Sequence, residues 1–152
     1  MADELPSMPL RAIGIVRNGI EEKPDTHDWW TDIISDIVID SRLTEALDGL
    51  EGFSHIIVLC WMHRAVSAEV PTKVHPRGKQ ELPLVGLFAT RSPRRPNPIG
   101  KTTVRLLQRQ GNILRVKGLD VLNGTPVIDI KPYIPGNDSV ADAKVPQWIT
   151  SH

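Results

Sequence analysis

Residues 55–62 read HIIVLCWM, a short run of mostly Ile, Val and Leu that is typical of a buried β-strand. Similar runs are RAIGIV (11–16), IISDIVI (33–39), LVGLFAT (84–90), TTVRLL (102–107), NILRVKGL (112–119) and TPVIDI (125–130). Clusters of Gly, Pro or Asn separate the runs, as they separate the strands of a sandwich or barrel. The sequence therefore predicts a mainly β protein with six or seven strands.

One segment has a different period. Residues 40–53 read DSRLTEALDGLEGF, and their apolar side chains at positions 43, 46, 47 and 50 recur at helical spacing. Asp40 or Ser41 can cap the first turn, and Gly49 or Gly52 can end the last one. This segment is predicted to be one short amphipathic helix, whereas VPTKVHPRGKQELP (70–83) is predicted to be a surface loop.

Composition sets the class of protein. With 152 residues and 40% apolar content, the chain is long enough for one domain with a real core. A single cysteine, Cys60, sits between apolar neighbours, which excludes a disulfide framework and predicts a core thiol in a reducing cytoplasm. Since no signal peptide and no run of about 18 apolar residues is found, we expect a soluble, unexported protein without a membrane span.

The net charge is zero, but the charges are segregated along the chain. Residues 1–55 carry twelve acidic and four basic side chains, and residues 82–119 carry eight basic and no acidic ones. This asymmetry predicts either a face that binds an anion or pairing of the two segments across the fold.

Several common active-site motifs are absent. The sequence contains no G-x-G-x-x-G, no G-x-x-x-x-G-K-[ST] and no G-x-S-x-G. Its five histidines have no paired metal-ligand spacing, and one cysteine cannot form a structural zinc site. The sequence therefore disfavours a Rossmann or P-loop nucleotide site, a metal enzyme and a serine hydrolase.

Residues 91–100 read RSPRRPNPIG and follow an apolar run directly. Pro93, Pro96 and Pro98 each fix their own φ near −65° and push the preceding residue into an extended conformation. The loop is therefore stiff, and a stiff loop can present arginines and an amide to a ligand at low entropic cost. The alternative is a proline-rich turn that merely ends a strand.

A second polar stretch is GLDVLNGTPVIDIKPYIPG (118–136). Asn123-Gly124 predicts a type I′ hairpin turn, since both residue types tolerate positive φ. Asp129, Lys131 and Tyr133 alternate along the following strand and so share one face, where they form a structural ion pair or line a pocket.

These two stretches, GLFATRSPRRPNPIG (86–100) and LDVLNGTPVIDIKPYIP (119–135), resemble the signature pair of the TsaA-like family. This family includes the bacterial tRNA methyltransferases that act on N6-threonylcarbamoyladenosine next to the anticodon. LDGLEGFSHIIVLCWMH (47–63) is similar to a further family segment. The resemblance covers about residues 10–135 and implies a single domain over 1–152 with its core in that range.

The resemblance implies a small β-barrel that binds S-adenosylmethionine, forms a homodimer and methylates a nitrogen, in tRNA for preference, without a metal. The cofactor residues carried over by position are His63, Arg64, Arg91, Lys101, Leu122, Asn123, Gly124 and Thr125. With the activity that the resemblance implies, Asp129, Lys131 and Tyr133 are candidate catalytic residues. Arg94 and Arg95 are candidate RNA contacts, because the prolines keep the three arginines of the loop from converging on one small ligand, and an ordinary surface role is the alternative.

The sequence departs from the family pattern in three places. The family's Pro-Arg-Gln falls on His27-Asp28-Trp29, and Lys101-Thr102 replaces an apolar residue and a serine. Trp29 and its neighbour Trp30 either stack on another ring or fill the core. Bacterial members commonly carry a further C-terminal domain, which the ending QWITSH leads us to expect is absent.

These departures leave two alternatives beside a tRNA methyltransferase. One is a methyltransferase of the same fold that acts on a small molecule or another nucleotide. The other is a non-catalytic nucleic-acid-binding barrel, which the presence of only seven aromatic residues disfavours.

Overall fold

Six antiparallel strands close into a barrel in the computed structural model, which describes residues 4–26 and 28–150. The order around the barrel is β1-β2-β7-β6-β3-β8, and β8 pairs back onto β1. A separate two-stranded sheet joins β4 to β5. The strands are β1 Gly14–Arg17, β2 Ile34–Ile39, β3 His55–Trp61, β4 Lys73–Val74, β5 Val85–Gly86, β6 Ile99–Gln110, β7 Ile113–Lys117 and β8 Pro126–Pro132.

Alternation along the strands produces the core. In β3, Ile56, Val58 and Cys60 point into the barrel, and the intervening residues point outward. Burial raises the pKa of the Cys60 thiol to about 12, so Cys60 is an unreactive core residue, as predicted. The interior is filled mainly by Val16, Ile37, Ile56, Val58, Val104, Leu114, Val116 and Val127. The predicted small β-barrel is confirmed, and six of the seven predicted strands belong to it.

The seventh predicted strand, LVGLFAT, is wrong over most of its length. Only Val85–Gly86 is a strand, and a 3₁₀ helix follows at Leu87–Ala89. Both the backbone N–H and the hydroxyl of Thr90 donate to the Leu87 carbonyl, at 3.0 and 2.7 Å, and thereby close a tight turn. The six other strands already close the barrel, so this segment lies outside it.

The predicted amphipathic helix exists as two 3₁₀ helices, Ser41–Leu47 and Leu50–Gly52. The Asp40 carboxylate caps the first by accepting from the backbone N–H of Arg42 at 3.0 Å. Gly49 lies between them at φ +91°, which interrupts the regular helix. The predicted loop 70–83 contains β4. The other helical segments are 3₁₀ helices at His63–Ala65 and Pro76–Gly78, α1 at Pro135–Asp138 and α2 at Gln147–Thr150.

The predicted type I′ hairpin at Asn123-Gly124 is wrong. Gly124 has φ +84°, but Asn123 does not have positive φ, and residues 118–122 form no strand that could pair with β8. The Asn123 side chain is instead bonded to residues 18–21, so the turn packs against the chain near β1.

Strand pairing brings three distant segments to one end of the barrel. β3 is antiparallel to both β6 and β8, and near its end Trp61 pairs with Ile99 and Cys60 pairs with Val127. The residues that follow β3 therefore lie near those that precede β6 and β8. We call residues 62–65, 91–98 and 122–125 the loop cluster. Among the described residues, no helix has the length and apolar character needed to cross a membrane.

Candidate active site

The turn Leu122–Thr125 is held against the chain that continues from β1. The Gly124 N–H donates to the Val16 carbonyl at 2.8 Å, and the Asn123 N–H donates to the Ile20 carbonyl at 2.8 Å. Within the turn, the Thr125 hydroxyl donates to the Leu122 carbonyl at 2.7 Å, and Thr125 is buried. These hydrogen bonds hold the predicted cofactor turn against the end of the barrel, directly before β8.

The side-chain amide of Asn123 forms hydrogen bonds to other residues of the protein. Its Oδ1 accepts from the backbone N–H groups of Asn18 and Gly19, at 3.0 and 3.4 Å, and its Nδ2 donates to the Glu21 carboxylate at 3.3 Å. Asn18 in turn donates to the Ser35 hydroxyl and the Val121 carbonyl. Asn123 thus positions the turn, and Asn18 is a supporting residue that sequence reasoning missed, although an Asn-Gly pair just after a strand is a turn signal.

Glu21 also connects the turn to the residues that follow β3. The Arg64 guanidinium donates to the Glu21 backbone carbonyl, so two predicted cofactor residues, Arg64 and Asn123, meet at Glu21. The preceding Met62 donates its N–H to the Pro98 carbonyl at 2.7 Å, which ties His63 to the end of the proline loop. The loop cluster therefore contains His63, Arg64 and the turn 122–125 on one connected framework.

The proline loop is braced by one of its own arginines. Arg95 Nη1 donates to the carbonyls of Thr90 and Ser92, at 3.0 and 2.9 Å, and its guanidinium lies over the Phe88 ring, 5.7 Å from the ring centre. Arg91 and Arg94 are exposed, and neither forms an ion pair within the described part of the chain. Within the loop, Arg91 and Arg94 are the arginines whose guanidinium groups have no hydrogen bond or ion pair to the described part of the chain, so they are open to a ligand.

Lys101 lies on the outer face of the barrel rather than on the loop cluster itself. It is exposed and sits in the register row Asp129–Leu59–Lys101 across β8, β3 and β6. At about 4.8 Å per strand, Lys101 and Asp129 are about 10 Å apart. Lys101 is three residues beyond Pro98, at the margin of the cluster.

The predicted catalytic trio runs away from the loop cluster. Lys131 Nζ lies 3.3 Å from Asp129 Oδ2 in a solvent-exposed ion pair, which is the structural alternative foreseen from the sequence. Tyr133 packs edge-on against His55, with ring centres 6.4 Å apart, at the opposite end of β3. Eight residues of extended chain separate Thr125 from Tyr133, about 26 Å. Within one chain the trio does not converge on the predicted cofactor residues.

Cross-fold pairing accounts for part of the basic segment. Arg115 binds Asp36 at 2.9 Å, Arg109 binds Asp48 at 2.9 Å, and Lys117 lies 3.6 Å from Asp32. The hydrogen bond from Arg115 lowers the pKa of Asp36. Pairing across the fold thus accounts for part of the charge segregation, and the anion-binding face stays a prediction. Within residues 82–119, the basic residues without an ion pair to the described part of the chain are Arg91, Arg94, Arg95, Lys101 and Arg105.

Two polar groups outside the loop cluster are unusual. Burial raises the pKa of Asp120 to about 6, against the opposing attraction of Lys23. The Trp29 indole N–H is buried without a hydrogen-bond partner in the described part of the chain, and the ring packs edge-on against Trp30 at 6.1 Å. Both tryptophans are half-buried, which favours the packing role predicted for them. His27 lies outside the described residues.

Two surface clefts lie away from the loop cluster. One lies against β1 and β2, and the other lies beneath the 3₁₀ segment near Leu47 and Phe53. Asp129 is the one predicted site residue on their walls. No group of three or more His, Cys, Asp or Glu side chains suited to a metal is found among residues 4–26 and 28–150.

The loop cluster has the chemistry to bind an anion that carries a flat group. Arg91 supplies an uncompensated cation, and the proline loop restricts its backbone. At Gly124 the space that a Cβ would occupy is open, so a ligand can approach the bare backbone of the turn.

Residues 18–139 match the family described as the tRNA-methyltransferase O N-terminal domain. The chain is 45% identical, over 86% of its length and 93% of the relative, to a probable S-adenosyl-L-methionine-binding protein of Methanothermobacter thermautotrophicus. A protein of the same description from Archaeoglobus fulgidus is 42% identical over 90% of this chain, which spans only 37% of that relative.

The tRNA (adenine(37)-N6)-methyltransferase of Escherichia coli is 41% identical over 65% of this chain and 44% of its own length. A crystal structure of TrmO from P. aeruginosa superposes with a TM-score of 0.76 at 34% identity, covering 95% of this chain and 63% of that one.

Proposed function

Since the chain belongs to the tRNA-methyltransferase O N-terminal domain family, we propose that it is an S-adenosylmethionine-dependent methyltransferase whose acceptor is N6-threonylcarbamoyladenosine in tRNA. The observation that supports this proposal is that strand pairing and hydrogen bonds bring the His63-Arg64 pair, the Leu122–Thr125 turn and the Pro98 end of the proline loop, to which Arg91 belongs, to one end of the barrel. The substrate places the proposed reaction in the cytoplasm.

The loop cluster suits the parts of S-adenosylmethionine. Arg91 can form a charge-assisted bond with the cofactor carboxylate, and the bare backbone at Gly124 leaves room for a flat ring. Arg64 and Asn123 hold the framework through Glu21, because their polar groups are already bonded there. His63 and Lys101 line the margin of the proposed site, and Leu122 and Thr125 form its floor.

When bound, the cofactor supplies a methyl group on a positively charged sulfur. The task of the protein is to hold the acceptor nitrogen in line with that methyl group, and such positioning can supply much of the rate. A stiff proline loop and an internally bonded turn are suited to this task, because they lose little freedom when a ligand binds. Asp129, Lys131 and Tyr133 stay predicted catalytic candidates, reachable only by an acceptor that extends along the outer face of β8.

We also propose that the protein is a homodimer. The outer face of β3 carries Ile57, Leu59 and Trp61 in a row, which is unusual for a strand face that meets water. A two-fold partner would cover this row and lie next to Lys101. Light scattering should give twice the chain mass, and Leu59→Lys should give the monomer mass with an unchanged circular dichroism spectrum. A wild-type monomer at micromolar concentration contradicts the dimer.

The function is tested by mass spectrometry of nucleosides. The protein is incubated with S-adenosylmethionine carrying a deuterated methyl group and with tRNA that contains unmethylated N6-threonylcarbamoyladenosine. The label should appear on that nucleoside, and Arg91→Ala should reduce the transfer. Transfer only to a small-molecule fraction supports the alternative methyltransferase, and RNA binding without any transfer supports the non-catalytic barrel.

A further inference from the structure

Phe88 is an aromatic residue held in an exposed position. It is 78% exposed, whereas its neighbour Leu87 is only 4% exposed and anchors the 3₁₀ turn. The two Thr90 hydrogen bonds to the Leu87 carbonyl fix this turn, so the exposure of the ring is set by the backbone. An aromatic ring left in water costs free energy that a monomeric barrel could avoid with a polar residue.

One face of the Phe88 ring is already covered by a cation. The Arg95 guanidinium lies over it, and Arg95 cannot swing away without breaking its bonds to the Thr90 and Ser92 carbonyls. Because most of the residue is exposed, the opposite ring face is open to solvent. The guanidinium and the ring therefore form a stacked pair in which the outer face of the ring is free to contact a ligand.

Uncompensated positive charge lies within a few residues of this stacked pair. Arg91 and Arg94 belong to the same stiff loop, and neither has an ion pair in the described part of the chain. A flat apolar face beside exposed cations is the combination that binds an unpaired nucleobase and its phosphates, because bases stack on the ring while arginines contact the backbone.

We propose that Phe88 is a stacking platform for an unpaired base of a single-stranded RNA loop, with Arg94 contacting a neighbouring phosphate. This inference rests on the proposed function and names the part of the RNA that the protein holds. Phe88 is not among the residues assigned to the cofactor, and the backbone turn at residues 87–90 directs its ring toward solvent. Arg95 is a positioning residue that holds the ring and the loop.

The test measures binding of an anticodon stem–loop RNA that carries 2-aminopurine at one position of its loop. Stacking quenches this base, so its fluorescence reports contact with the ring as well as affinity. Phe88→Ala should weaken RNA binding about 5- to 100-fold and abolish the protein-induced quenching at one loop position. Phe88→Trp should restore both, and Phe88→Leu, which keeps apolar bulk without a π-face, should restore neither.

Phe53→Ala is the matched control, because Phe53 is the other phenylalanine of the chain and precedes β3, about 23 Å along the strand from the loop cluster. It should leave RNA binding unchanged. Binding of S-adenosylmethionine should be unchanged in every Phe88 variant. If wild-type protein binds and methylates RNA but Phe88→Ala binds it equally well, the platform is refuted and the proposed function stands.

Two further results overturn the platform. Loss of cofactor binding in Phe88→Ala would place the ring in the cofactor site, and a changed molecular mass would place it in a contact between two copies. Wild-type protein that binds cofactor but no RNA would refute both the platform and the tRNA acceptor.

Discussion

Replacement of Asp120 by Asn should stabilise the protein, and more so at high pH. Burial raises the pKa of this carboxyl from 3.8 to about 6, with Lys23 opposing the shift. Because the folded-state pKa is raised, folding favours the protonated form, and that stabilisation is complete below the unfolded-state value and is lost as pH rises through 6. At about 1.36 kcal/mol per pKa unit, and after allowance for partial exposure, the ionised carboxylate should lower the free energy of unfolding at high pH by about 1–3 kcal/mol.

The assay is urea denaturation of wild type and Asp120→Asn between about pH 4 and about pH 8. The stability difference in favour of the variant should be small near pH 4, grow through pH 6 and level off near pH 8. Asp142→Asn, which removes an exposed carboxylate, controls for the loss of one negative charge. A difference that is flat across this range would refute the assignment of a raised pKa to a partly buried carboxyl at this position.

Three further changes test the framework and the charges. Asn123→Ala removes an acceptor shared by the Asn18 and Gly19 N–H groups, and should lower the free energy of unfolding by about 1–2 kcal/mol in the same urea assay, with weaker cofactor binding. Gly14→Ala places a Cβ 2.6 Å from the Val38 carbonyl oxygen, between β1 and β2. It should lower the free energy of unfolding by about 1–3 kcal/mol and the melting temperature by several degrees. An unchanged thermal transition would contradict this strand pairing. Arg94→Ala should reduce the slope of log K against log salt for single-stranded RNA by about 0.7 without loosening the proline loop, and an unchanged slope would exclude a phosphate contact.

The strands could be predicted because each is a short run of mostly Ile, Val and Leu that turn residues separate from the next run. HIIVLCWM alternates between the core and the surface as a barrel strand must, and β6, β7 and β8 have the same signature. LVGLFAT failed because its composition is that of a strand while the Thr90 side chain closes a turn on Leu87. The Thr90 hydroxyl bonds a carbonyl three residues earlier and so competes with the backbone hydrogen bonds of a strand. The pattern of hydrophobic residues carries no information about such a bond.

The site could be predicted only in part. The stiffness of the proline loop follows from the prolines themselves, but the bracing role of Arg95 depends on side-chain direction. Glu21 and Asn18 lie about a hundred residues from Asn123 in sequence, so their part in the turn depends on strand pairing that the local sequence does not encode. Asp120 looks like an ordinary loop carboxylate until burial is known.

Calorimetric titration with S-adenosylmethionine tests the central claim most directly. Wild-type protein should bind one cofactor per chain, and Arg91→Ala should bind about 10- to 150-fold more weakly, the loss of a charge-assisted hydrogen bond worth about 1.5–3 kcal/mol. Arg105→Ala is the matched control, because Arg105 is also exposed but lies opposite His55, away from the loop cluster, and it should keep wild-type affinity. Absence of binding heat at millimolar cofactor would contradict the methyltransferase, and equal affinity of wild type and Arg91→Ala would contradict the proposed site.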